Sequence, residues 1–199
     1  MQADEAAGMM DNETEADRYK RRAAVVIACF AMLLAIASLG GNNATKDALN
    51  SNILASNYMT FFQAKNMRQT SYMLAADQVE LAWISDPALP AAAKAALERK
   101  LDDYRRTIAR YESDPESGEG KKELLGKARE YEKKRDRALK QDPYFDYASA
   151  LMQIAIVLIS VAIVAGQRWL VWAGSAVGVA GALLMLNGFY LVVEIPFLT

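Results

Sequence analysis

Histidine is absent from this chain of 199 residues, and cysteine occurs once, at Cys29. The missing histidine removes the commonest metal ligand, the commonest general base and every Ser/His or Cys/His nucleophile pair. A lone cysteine excludes an internal disulfide and any Cys-based zinc site. Set in an uncharged run, Cys29 reads as a small buried apolar residue. An excess of either charge is also missing. Lysine and arginine number 23 against 24 acidic residues, for a net charge of -1, so nothing draws the chain as a whole toward nucleic acid. No catalytic residue, cofactor or metal site is expected, and the composition points away from an enzyme.

Charge is also lacking locally, and that sets the class. Ala23 to Leu39, Tyr147 to Ala165 and Trp169 to Val193 carry no Asp, Glu, Lys or Arg. Each is roughly 17–25 residues long, enough to cross a hydrocarbon core of about 30 Å. The expected fold is an all-α membrane protein with transmembrane helices over 23–41, 147–165 and 169–193. A long antiparallel, coiled-coil-like helical hairpin over 42–146 separates the first from the second. Ala35-Ile36-Ala37 has the small-x-small look of a signal cleavage site, but an acidic stretch precedes it where a short basic one belongs. The first block is therefore read as a retained signal anchor.

Residues 1–22 form an acidic tail, expected to be disordered, that ends in the basic cluster Arg18, Lys20, Arg21 and Arg22. The positive-inside rule puts that cluster, and the Gly166-Gln167-Arg168 loop, in the cytoplasm. The hairpin is then extracytoplasmic. Lys133, Lys134, Arg135, Arg137 and Lys140 lie on the opposite side, in a segment long enough to cross regardless of its charge.

No proline or glycine interrupts residues 42–85, where Leu54, Tyr58, Phe61, Tyr72, Ala75, Val79 and Ala82 fall on one 4-3 stripe, with Lys65 and Arg68 in its middle. That predicts one helix of about 65 Å at 1.5 Å per residue. A turn follows at Asp86-Pro87-Ala88-Leu89-Pro90. Leu97, Leu101, Tyr104, Ile108 and Tyr111 predict a return helix over about 91–112. Leu124, Ala128, Tyr131 and Ala138 predict a second over 121–140, ended by Asp142-Pro143. One long outward helix and two shorter return helices bring the chain back to the membrane, with Pro87 and Pro90 at the tip; a compact bundle lying on the surface is the alternative.

Gly118-Glu119-Gly120-Lys121 suggests a phosphate loop, but Pro115 stands at the position of its first glycine and Lys122 where Ser or Thr is needed. It is a helix-breaking loop. Gly174, Gly178, Gly181 and Ala182 make a small-residue face that lets helix backbones approach closely in lipid, toward either the same chain or a neighbouring subunit. Gln153 and Asn187 read as amides that join helices, and Trp169, Trp172 and Tyr190 as interfacial anchors. Asn42, Asn43, Gln63, Lys65 and Arg68 are candidate partner-binding residues, with register specification as the plainer account.

The run Leu33 to Ala44, followed by Phe62-Gln63-Ala64-Lys65 and Tyr72-Met73-Leu74-Ala75-Ala76-Asp77, resembles the bacterial membrane proteins of the DUF4337 family, as does the order of membrane and helical segments. The resemblance implies a bacterial inner-membrane location and supplies no activity; its shared polar residues are Asn42, Asn43, Gln63 and Lys65. The function expected is that of a non-enzymatic structural or interaction protein in membrane lipid, a homo-oligomer or an accessory subunit of a larger membrane complex. A membrane sensor or signalling adaptor is the alternative, with a small channel or transporter behind it.

Overall fold

The computed structural model describes residues 17–86 and 88–195. The elements are α1 (Gln2–Ser85), α2 (Ala91–Glu112), α3 (Lys121–Ala165) and α4 (Arg168–Tyr190), all helical. The acidic tail over 1–16 and Pro87 at the expected tip lie outside the described residues. Residues 17–22, expected to belong to that tail, are helical and continue α1. Helices α1, α3 and α4 are each long and apolar enough to cross a membrane, and only 22%, 28% and 22% of their most apolar windows is buried inside the protein. The rest faces outward, a distribution that hydrocarbon tolerates and water does not.

The chain divides into two compact units, the first made of Met1–Ala48 with Asp136–Thr199, the second of Leu49–Arg135. In the first unit, Phe145 (2% exposed) is the wedge. A Cβ added at Gly40 would lie 2.5 Å from its ring, and one at Gly188 would lie 3.2 Å from it. Glycine is required at both places by close approach. The Phe189 ring meets Phe145 edge-on, with centroids 4.8 Å apart. Deeper in the span, Ala23, Phe30, Ala155 and Ile159 form a second core cluster.

Two expectations are corrected here. Helix α3 does not end at Asp142-Pro143; it runs through Pro143 to Ala165. The proline forfeits one backbone hydrogen bond and crowds the preceding turn. Tyr144, Phe145 and Ala148, packed immediately after it, hold the helix on course. Cys29, expected to be buried, is exposed. It lies on the outward face of α1, which in a bilayer meets hydrocarbon instead of protein.

In the second unit, contacts climb α1 as they descend the other helices. Tyr58 stacks on Tyr131 at 5.6 Å, while Tyr72 meets Tyr104 and Tyr111, each at 5.7 Å. The buried line on α1 is Ser51, Ala55, Gln69 and Ala76. The expected stripe holds in part: Leu54, Tyr58, Lys65, Tyr72, Ala75 and Val79 are half-buried, while Phe61, Arg68 and Ala82, also on that stripe, are exposed. Close helix packing favours small residues at the centre of a seam, so the large apolar residues flank the true contact line.

Candidate functional site

The α4 glycines are occupied within the chain. A Cβ at Gly181 would stand 3.0 Å from the Ala148 carbonyl oxygen, and one at Gly174 would stand 3.1 Å from that of Ala155. These glycines, with Gly188, recur every seven residues and let α4 lie against α3. Gly178, one turn from Gly174 and Gly181 on the same side of α4, receives the Phe30 ring of α1. Ala182 is half-buried beside the Phe145 cluster. The small-residue face therefore closes the first unit on itself.

Asn187 serves its own helix end. Its amide nitrogen donates to the Val193 carbonyl at 2.7 Å, and its carbonyl accepts the Val193 N–H at 2.9 Å. This clasp holds Leu191 in a left-handed conformation, φ 51°, that a branched side chain seldom adopts. The Tyr144 hydroxyl donates to the same carbonyl at 3.1 Å and accepts the Ile195 N–H at 2.8 Å. Nothing in the residue pattern announced this knot, since its partners lie about fifty positions apart.

The outward face of the first unit is less settled. Ala150, Gln153, Val157, Ser160 and Val164 on α3 are all exposed and follow a 3-4-3-4 order. On α1, Ala24, Ala28, Ala31, Ala35, Ser38 and Asn42 do the same with small side chains. Gln153 has no hydrogen-bond partner among the described residues. Near the Gly40 turn, Ser38, Asn42 and Thr45 line a crevice of 330 Å³ opposite Asp142, Asp146 and Ser149. Thr45 spans it, donating to Asp142 at 2.8 Å. Asn43 is exposed on the adjoining face of α1.

In the second unit, sequence-selected residues separate into two grooves. Gln63 lines one with Asn52, Ser56 and Glu132. Lys65 and Arg68 line another of 430 Å³, with Tyr58, Phe61, Leu124, Lys127 and the Ser117-Gly118-Glu119 loop. Behind it lies a network centred on Gln69, one amide of the amide-rich stretch with Gln63 and Asn66. Gln69 (3% exposed) donates to the Ile108 carbonyl at 3.1 Å and to Glu112 at 2.9 Å, and accepts from Lys121 at 2.7 Å. One amide joins α1, α2 and α3.

The loop 113–120 depends on ionised carboxylates. The Ser113 hydroxyl and the Asp114 N–H both donate to Glu123, holding its carboxyl below the ordinary glutamate value. The Ser117 hydroxyl and amide do the same for Asp114. Gly120 fits only because a Cβ there would strike the Asp114 backbone and the Glu123 carboxylate. Depressed folded-state values mean that the stabilisation is present above the ordinary carboxylate range and is lost as pH falls through the folded values. Protection factors across 113–120, with the intrinsic pH dependence of exchange divided out, should therefore fall below about pH 4, while those of the α4 amides hold; unchanged protection from pH 7 to 3 would contradict this.

Family comparison covers both units. A family model described as a domain of unknown function, DUF4337, matches residues 19–191. The chain belongs to the DUF4337 family. The match runs through all four helices, so Gly40, the Gln69 network and the α4 glycines all fall within the DUF4337 region. No curated protein and no solved structure matches the chain.

Proposed function

We propose that this DUF4337 protein is a non-enzymatic structural or interaction protein of the bacterial inner membrane that assembles with a second copy of itself through the outward face of α1 and α3. The observation that carries the reading is Gln153. It is an exposed amide about 9 Å past Tyr147 at 1.5 Å per residue, too deep for so short a side chain to reach the interface. An amide without a partner in hydrocarbon is costly. A carboxamide both donates and accepts, so two copies of Gln153 satisfy each other across a two-fold axis. The surrounding order of Ala150, Val157 and Ser160 provides a coiled-coil seam around that pair.

In this reading the N-terminus is cytoplasmic and residues 49–135 form an extracytoplasmic antiparallel hairpin. Arg168 lies over the Tyr19 ring at 5.8 Å, so the basic cluster and the α3–α4 loop share one end of the bundle, in keeping with the positive-inside rule. Asp142, Asp146 and Glu194 gather toward the other.

Fluorescently labelled full-length chain in lipid nanodiscs and vesicles tests the assembly by photobleaching step counts. Gln153→Leu should weaken association about three- to thirtyfold, the range of one interhelical hydrogen bond in a membrane. With Cys29→Ala in place, Gln153→Cys should cross-link to itself. A wild-type protein that stays monomeric at every density would sink the proposal.

A further inference from the structure

We infer that the groove beside Lys65 and Arg68 is a binding site for a small organic carboxylate carrying an aromatic or other flat apolar body. This goes beyond self-assembly and does not rest on it. The groove lies wholly within the second unit, and its volume of 430 Å³ is that of a small-molecule site. Its walls divide by chemistry. Tyr58, Phe61, Ala64 and Leu124 form an apolar side. Tyr58 is fixed by its stack on Tyr131, and Phe61 is left 60% exposed. An aromatic ring held open to water is a stacking platform without an occupant.

The polar side has more cation than the chain uses. Lys65, Arg68 and Lys127 line the groove with one carboxylate, Glu119, and Asp114 lies within electrostatic reach of Lys65. Lys65 meets Glu119 at 3.3 Å, in a pair whose acid is 67% exposed and therefore weakly held. Lys127 donates to the Gly118 carbonyl at 2.9 Å and lies over the Tyr58 ring at 5.7 Å, neutral partners that leave it without an anion. Arg68 makes no hydrogen bond and no ion pair among the described residues. Its planar fork matches a carboxylate in bidentate fashion. Glu119 at the rim repels a dianion, which favours a monoanionic carboxylate over a phosphate. Gly118, at φ 66°, shapes the loop so that its carbonyl meets Lys127 beside the apolar wall.

The test titrates naphthalene-2-carboxylate into the full chain in lipid nanodiscs by calorimetry, with empty nanodiscs as the blank. One saturable site is expected, weakening as salt rises. Arg68→Gln should reduce affinity about tenfold or more, the worth of a charged hydrogen bond or better, and Arg68→Lys should restore part of it. Arg68 is exposed, so neither change threatens folding. The uncharged 2-naphthalenemethanol should bind far more weakly. Equal binding of the alcohol, unchanged affinity in Arg68→Gln, or no saturation would overturn the site. Inorganic phosphate binding as tightly as the carboxylate would overturn the ligand class. None of these outcomes bears on the photobleaching counts.

Discussion

Phe145→Ala is expected to destabilise the membrane unit by about 3 kcal/mol, at the lower end of the range for emptying a phenylalanine site. The ring is 2% exposed and occupies the space that Gly40 and Gly188 leave open. In water the loss would comprise a transfer term and a cavity term. Where lipid replaces water the transfer term shrinks, because the exposed alternative is also apolar. The contact loss remains, since alanine cannot reach either glycine and the helices cannot close the gap fully. Reversible unfolding in bicelles measures the effect. Gly40→Ala supplies the opposite strain, because its Cβ would sit 2.5 Å from the Phe145 ring. Combining it with Phe145→Leu should recover part of the loss, giving a favourable coupling in a double-mutant cycle. Strict additivity of the two changes would show that the wedge does not act as described.

The features legible in the sequence were those with a long one-dimensional signature. Three uncharged runs gave three candidate spans, because the thickness of a bilayer imposes a length on any helix that crosses it. Leu97, Leu101, Tyr104, Ile108 and Tyr111 of α2 are all half-buried, as their spacing requires. Features that depend on a contact between distant segments were hidden. Pro143 reads as a stop until the packing of Tyr144 and Phe145 behind it is known. Gly174 and Gly181 announce a close approach but not its partner, which is α3. On α1 the stripe of large residues found Tyr58, Tyr72 and Val79 at the seam but put Phe61 and Ala82 there as well, because the most buried positions belong to small residues, Ser51, Ala55 and Ala76. Of the polar residues singled out, Lys65 and Arg68 share a groove, while Gln63 turns to a different one. Gln69, two positions from neither a proline nor a glycine, gave no sign of its role beyond being an amide in an amide-rich stretch.

Gln69→Leu should cost the second unit about 2–3 kcal/mol at neutral pH, less than the sum of its hydrogen bonds taken singly. The shape is nearly kept, so the cavity is small and the loss is polar. Lys121, with a side chain 14% exposed, loses its shortest partner and keeps Glu112 at 3.1 Å and the face of the Phe62 ring at 5.8 Å. Glu112 is 60% exposed and turns to water, which limits the penalty. The effect should depend on pH in a definite sense. In the wild type, the Gln69 amide first and Lys121 second hold the Glu112 carboxyl below its ordinary value. That contribution is complete above the ordinary glutamate value and disappears as pH falls through the depressed one. Without Gln69 the depression is smaller, so the variant has less to lose on acidification. The stability gap between wild type and Gln69→Leu, read from hydrogen exchange of the α2 amides, should therefore narrow below about pH 4. A gap that widens in acid would mean that Glu112 is not the acceptor through which Gln69 joins the three helices.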